Sequence, residues 1–275
     1  MTTYQRIYHY LQQFIPFYST AMSVQHPSIR VYPDKQQLGK IAVTQLISQL
    51  NEYADNNTNH IVNIATSGGS LPATLSSALP SIAKSTHSDQ IHIWFADERC
   101  VPLNDKESNY YVNQQLISAL GVQSHNIHKI NESLIDSPSD AANDYNTQIQ
   151  QLYNNNGQMD ILLLGMGPDG HCCSLFPNHS INLINDRYIA SITDSPKPPS
   201  NRITFTHKLI ATARSIIFII TGSDKADSVR DVLENTSQSK LPTAQVIRDV
   251  SSDTSIIFYL DVAAASKLSK TTTGL

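Results

Sequence analysis

The 275-residue chain predicts a doubly wound α/β fold, a mostly parallel sheet covered by helices on both faces. Three observations carry this expectation. Short apolar runs alternate with stretches of helical spacing along almost the whole length, the pattern of repeated β-α units. One run, Ile161-Leu162-Leu163-Leu164, is unbroken, as a strand buried on both faces would be. Several runs also end in clusters of Gly, Ser or charged residues, the punctuation expected where a strand hands over to a helix.

Taken in order, Ser28–Tyr32 reads as a strand, followed by a helix from about Pro33 to Tyr53 with Leu38, Ile41, Leu46 and Leu50 on one face. His60–Ala65 is a second strand. It runs into Thr66-Ser67-Gly68-Gly69-Ser70-Leu71-Pro72 and a helix to about Leu79. Gln90–Phe95 is a third strand and ends in Ala96-Asp97-Glu98-Arg99. Ser108–Leu120 and Ser139–Tyr153 read as helices and Met159–Gly165 as a strand. Arg202–Thr206 and Ser215–Thr221 are further strands, Ser223–Glu234 is a helix, and Ser255–Leu260 is a last strand. Asn154–Gly157 and Asp194–Asn201 read as loops too short to demand a domain boundary, so residues 28–275 read as one domain. Residues 1–27 read as an N-terminal extension. Its stretch Tyr4–Thr20 is aromatic and apolar but broken by Gln, His and Arg, which suits an amphipathic helix better than a cleaved leader. Met22 offers a second possible start just before the first strand.

Composition narrows the function. A net charge of −4 and a pI near 6.2 argue against general affinity for nucleic acid or membrane surfaces, so an anionic ligand would need a local cluster of donors. Three cysteines, two of them adjacent at Cys172 and Cys173, supply no disulfide framework and suit a reducing, cytoplasmic setting. No apolar run approaches the length of a membrane span.

In such a sheet, ligands bind beyond the carboxyl ends of the strands, and the informative segments fall there. Gly165-Met166-Gly167-Pro168-Asp169-Gly170-His171 places a carboxylate and an imidazole two positions apart in a loop of three glycines. A His beside a carboxylate keeps a defined tautomer and can take a proton from water near neutral pH. Ser67, Gly68 and Gly69 join a strand to a helix, where exposed backbone N–H groups can cradle an anion, although an ordinary glycine turn would look the same. Gly222-Ser223-Asp224-Lys225 repeats that arrangement. Lys225 would lie in the first helical turn, where a cation opposes the helix dipole unless it serves an anion. Arg202 opens a strand after a Pro-rich loop and has the fork geometry for phosphate, with a solvated edge-strand arginine as the plain alternative. Of Asp97-Glu98-Arg99, Glu98 suits an internal network, whereas Arg99 suits a developing oxyanion. A metal reading of His171, Cys172, Cys173 and His179 is weak because adjacent cysteines rarely reach one ion and the usual zinc spacings are missing. Cys172 as a nucleophile lacks a neighbouring base.

These segments, with Ser108-Asn109-Tyr110, Ser174-Leu175-Phe176-Pro177 and Arg202-Ile203-Thr204, occur in the order seen in 6-phosphogluconolactonases, and the chain from about Ser28 onward resembles that family. The resemblance implies the glucosamine-6-phosphate deaminase-like fold and hydrolysis of 6-phosphoglucono-δ-lactone, a carboxylic ester hydrolysis in the pentose phosphate pathway. It casts His171 as the base that activates water, Asp169 as its orienting partner and Arg99 as a group near the lactone. Ser67, Gly68, Gly69, Arg202 and Lys225 become the phosphate site, and Lys225→Ala or Arg202→Ala should mainly raise KM. No metal or organic cofactor is implied. The expected partner is a phosphorylated sugar lactone, with no nucleic acid or membrane, and the protein is expected to be a monomer or weak homodimer. The chain departs from the family at Cys172-Cys173, where Thr or Ile and then Ala are usual, which raises the expectation that oxidation of Cys172 would disturb the loop. Two rivals remain. Deaminases on this fold carry an Asn-Glu-Pro run after the loop His, whereas this chain has Leu175-Phe176-Pro177 with no acid. A non-catalytic sugar-phosphate sensor would be expected to have lost Asp169 or His171, and both are present.

Overall fold

The computed structural model describes residues 27–55, 61–76, 78–79, 87–155, 157–269 and 272. The expected N-terminal helix and Met22 lie outside these residues.

Six strands form one sheet: β1 (Ser28–Tyr32), β2 (Val62–Thr66), β3 (Ile91–Phe95), β5 (Ile161–Leu164), β8 (Ser215–Ile220) and β9 (Ser255–Asp261). Their spatial order is β1-β9-β8-β5-β2-β3, and every neighbouring pair is parallel. Alternation along the apolar strands divides the core. Leu162 and Leu164 of β5 and Ile216, Phe218 and Ile220 of β8 enter one apolar cluster, while Ile161, Leu163, Ile217 and Ile219 enter the other. Each fully buried Leu or Ile stabilises the fold by roughly 1.5–3 kcal/mol relative to exposure.

Helices cover both faces. On one side lie α1 (Lys35–Asp55), α2 (Leu71–Ser76) and α4 (Gln114–Leu120), which contribute Leu38, Leu46, Leu71, Leu75, Leu116 and Leu120. On the other lie α5 (Pro138–Asn154), α7 (Ala226–Glu234) and α8 (Pro242–Asp249), which contribute Tyr145, Ile149, Val229, Val232, Val246 and Ile247. The expected helix over 108–120 is split. Asn113 ends the short α3 (Asn109–Val112) and begins α4, because its side chain is turned to neighbouring backbone instead of solvent.

Arg202–Phe205 (β7) leaves the main sheet. It pairs antiparallel with β4 (Asp97–Arg99) and β6 (Ile189–Ile192) in a second, three-stranded sheet packed on the Leu162 side. In that small sheet Arg99 stands directly opposite Arg202. In the main sheet the chain reverses its direction of travel between β2 and β5, the topological switch point at which an open α/β sheet leaves a crevice.

Candidate active site

A cleft of about 320 Å³ opens at that switch point, beyond the carboxyl ends of β2 and β5. Its walls include Ser67, Gly68 and Gly69 after β2, and Gly165 to Gly167 and His171 after β5. Arg99, Lys197, Arg202 and Lys225 bring four cations to it, against the single carboxylate of Asp97. A chain of net charge −4 has therefore gathered positive charge in one place, the local cluster that an anionic ligand requires. The predicted residues His171, Arg99, Ser67, Gly68, Gly69, Arg202 and Lys225 all line this cleft, and Asp169 stands behind His171.

The imidazole is held from behind. His171 Nδ1 lies 2.5 Å from Asp169 Oδ1, which assigns the Nδ1 proton to that contact and leaves Nε2 for a water. Partial burial alone would raise the Asp169 carboxyl, but hydrogen bonds and charge from His171 and Lys197 hold it well below the usual carboxylate range. The loop cannot carry larger side chains at its turn. A β-carbon on Gly167 would sit 2.1 Å from His171 Cε1 and 2.6 Å from Asp169 Oδ1. The neighbouring helices anchor the turn: Ser228 Oγ of α7 donates to the Pro168 carbonyl, and Thr243 of α8 donates through N and Oγ1 to that of Gly170.

The turn after β2 is fixed from below. Ser67 N donates to the Leu163 carbonyl at 3.0 Å, Asn113 Nδ2 donates to the Ser67 carbonyl at 3.2 Å, and Gly69 takes a positive φ of 69°. Since α2 is only six residues long, an anion at this turn would be met by backbone amides more than by a helix dipole. Lys225 ends a 3-10 turn (Ser223–Lys225) just before α7, with Nζ donating to the Thr221 carbonyl at 2.8 Å and lying 3.6 Å from Asp224.

Arg202 differs from the expected open fork. Its Nε donates to the Pro199 carbonyl and its Nη2 to those of Lys197 and Pro198, at 2.8 to 3.1 Å, while Nη1 reaches Ser174 Oγ at 3.4 Å. Most of the guanidinium therefore organises the loop at 197–199 and only one edge faces the cleft. Arg99 donates to the Glu107 carbonyl at 2.5 Å and shares a sheet face with Arg202, a pairing of like charges that is unfavourable without an anion nearby.

Glu98, between the lining residues Asp97 and Arg99, is itself buried. Its carboxylate accepts from the backbone N–H groups of Arg99, Asn109 and Tyr110 and from Ser108 Oγ, so it closes the start of α3. Burial pushes it up to about 7 against the pull of those three N–H groups. Asp97 accepts from Ser174 Oγ at 2.9 Å and Asn109 Nδ2 at 3.1 Å.

Cys172 is buried at 1% exposure, so its side chain offers no surface to an oxidant, contrary to the sequence expectation. Cys173, at φ 52°, is the thiol that lines the cleft, 4.0 Å from Ser67 Oγ. The neighbouring Cys172 and burial together push its thiol well up. The residue that sequence reasoning missed is Lys197. It sits in a loop without periodicity, and its only sequence signal is a lone cation between Pro196 and Pro198. Among the described residues no three His, Cys, Asp or Glu side chains form a metal-binding group, and no helix is long and apolar enough to cross a membrane.

Residues 33–256 match the family model for glucosamine-6-phosphate isomerases/6-phosphogluconolactonase. The chain is 37% identical to a probable 6-phosphogluconolactonase of Schizosaccharomyces pombe over 221 residues, covering 76% of this chain and 84% of that protein. It is 34% identical to the 6-phosphogluconolactonase of Homo sapiens over 246 residues, covering 87% and 93% respectively. The solved structure of a 6-phosphogluconolactonase from Trypanosoma cruzi superposes with a TM-score of 0.75 over 91% of this chain and 100% of that one, and at 24% identity this speaks for the fold alone. By the family model and these relatives, the chain belongs to the glucosamine-6-phosphate isomerase/6-phosphogluconolactonase family.

Proposed function

We propose that this protein hydrolyses 6-phospho-D-glucono-1,5-lactone to 6-phospho-D-gluconate, with His171 as general base, in the oxidative pentose phosphate pathway of the cytoplasm. The observation that carries the reading is the His171–Asp169 pair at 2.5 Å beside a cleft walled by four cations. The phosphate rests against the Ser67–Gly69 turn, Lys225 and the free edge of Arg202. That leaves the lactone ring near His171 and Arg99.

A water donates to Nε2 and attacks the C1 carbonyl, so its proton passes to His171 and a tetrahedral oxyanion forms. Arg99 offsets the developing negative charge, and the Asp169 carboxylate steadies the imidazolium. Collapse breaks the bond from C1 to the ring oxygen, which takes the proton back from His171, and the new acid ionises. Lactones already react with water, so one oriented base and fixed positive charge meet the demand. The scheme calls on no metal or organic cofactor, nucleic acid or membrane, and suits a monomer or weak homodimer.

Phe176 supports the lactonase reading over deamination. It is buried and packs its ring 4.8 Å from that of His171 and 5.6 Å from the Arg202 guanidinium, where a deaminase would need an acid to open the sugar ring. The test follows loss of freshly made 6-phosphogluconolactone. His171→Ala should lower kcat about 100-fold or more. Wild-type-like turnover by that variant, or ammonia release from glucosamine 6-phosphate by the parent, would overturn the proposal.

A further inference from the structure

We propose that Lys197 is a positioning residue that keeps His171 available as a free base. The inference rests on the lactonase reading above. Lys197 Nζ lies 3.1 Å from Asp169 Oδ1 and 3.2 Å from His171 Nδ1, so ammonium, carboxylate and imidazole close a triangle whose third side is the 2.5 Å contact.

The triangle answers a difficulty that the pair alone would create. An ionised carboxylate against Nδ1 orients the ring, but it also favours the imidazolium, which has no lone pair at Nε2 to accept a proton from water. A fixed ammonium on the same carboxylate oxygen disperses its charge and opposes a second cation beside it. The orienting hydrogen bond survives while the electrostatic pull toward early protonation is reduced. The remaining charged groups lining the cleft are Asp97, Arg99, Arg202 and Lys225. Asp97 is engaged by Ser174 and Asn109, and the three cations act in the same sense as Lys197 from other elements.

The backbone holds Lys197 in place. Its N–H donates to Ser195 Oγ at 3.3 Å, and its carbonyl accepts from Ser195 Oγ and from Arg202 Nη2, each at 2.8 Å. The residue that braces the base thus also carries a carbonyl that fixes the guanidinium of Arg202. Its side chain is about 40% exposed, so Lys197 is a cation of the cleft and not a buried structural ion.

The experiment measures kcat and KM for the parent, Lys197→Met and Lys197→Arg between about pH 5.5 and 8, with spontaneous lactone loss subtracted. For Lys197→Met the acid limb of kcat/KM should move to higher pH by about one pH unit, a loss of about tenfold near pH 6 that mostly disappears near pH 8. KM should stay within about twofold and Lys197→Arg should follow the parent, because loss of uniform binding would instead raise KM with kcat unchanged. A second measurement follows the His171 ring signals by NMR against pH, and their midpoint should rise in Lys197→Met. Coincident profiles, a uniform loss at every pH, or a rise in KM alone would each overturn the role. A parent inert toward the lactone would overturn the lactonase reading, and the NMR midpoints would still decide whether Lys197 restrains the base.

Discussion

Asn109 Oδ1 occupies the space that a β-carbon on Gly68 would need, the two positions being only 1.8 Å apart. Asn109 is fully buried and its Nδ2 is committed to the Asp97 carbonyl and carboxylate, so it cannot retreat cheaply. Gly68→Ala should therefore push the Ser67–Gly69 turn outward. We expect a stability loss of about 1–3 kcal/mol by urea denaturation, as overpacked cores show, together with a several-fold rise in KM. A variant with parental KM and midpoint would contradict the close approach.

Arg202 is expected to affect more than affinity. Its guanidinium holds the carbonyls of Lys197, Pro198 and Pro199, the segment that sets Lys197 against Asp169. Arg202→Met should lower kcat as well as raise KM, each by about tenfold, since it removes both a cation of the cleft and the brace of the segment that carries Lys197. Steady-state rates that changed in KM alone would restore the simpler role expected from sequence.

Glu98 gives the fold a pH dependence. Its carboxyl is raised from 4.5 to about 7, so between those values the folded chain binds more proton at this group than the unfolded chain does. Its contribution therefore falls as pH rises through that window, by about 3 kcal/mol at most. Asp169 works in the opposite direction, with stability lost only as pH falls below the ordinary carboxylate range. Glu98→Gln should be the less stable protein near pH 5, by about 1–3 kcal/mol for the acceptor it loses, and the gap should narrow near pH 8. Parallel denaturation curves at the two pH values would rule out Glu98 as the source.

The thiols should be inert in the native protein. Cys172 and Cys173 are buried, and burial with the nearby Glu98 pushes Cys100 up to about 12. A chromogenic disulfide reagent at neutral pH should label all three only after denaturation, and iodoacetamide should leave activity unchanged over the same period. Rapid labelling with loss of turnover would point to an open form of the 165–177 loop.

Much of this was legible in one sequence. Strand Ser28–Tyr32 and the ends of β3, β5 and β8 were readable within a residue or two, because unbroken apolar runs and glycine turns are local signals. Of the eight site residues expected, seven line the cleft and Asp169 stands behind His171. Those that follow β2, β5 and β8 share one edge of the parallel sheet, whereas Arg99 and Arg202 reach the cleft from the small antiparallel sheet. The separate β4-β7-β6 sheet was not legible: three or four residues per strand are too few for periodicity, and antiparallel pairing across a long connection leaves no local mark. Lys197 was missed for the same reason, since its partners lie 26 and 28 residues away and only folding brings them together.

The pairing of Arg99 with Arg202 has a further consequence, for how this site can change over time. Residues directly opposite in an antiparallel ladder stand about 4.5–5.5 Å apart at their Cα atoms, a spacing set by peptide geometry and not by whatever joins the strands. Insertions, deletions and drift in the intervening chain can accumulate without altering the gap between the two backbones. A slip of one residue in the ladder, by contrast, would turn one arginine to the opposite face and remove it from the cleft at a stroke. The tolerance of this architecture to change is thus uneven, broad along the connecting chain and narrow in the three-residue strand Asp97–Arg99.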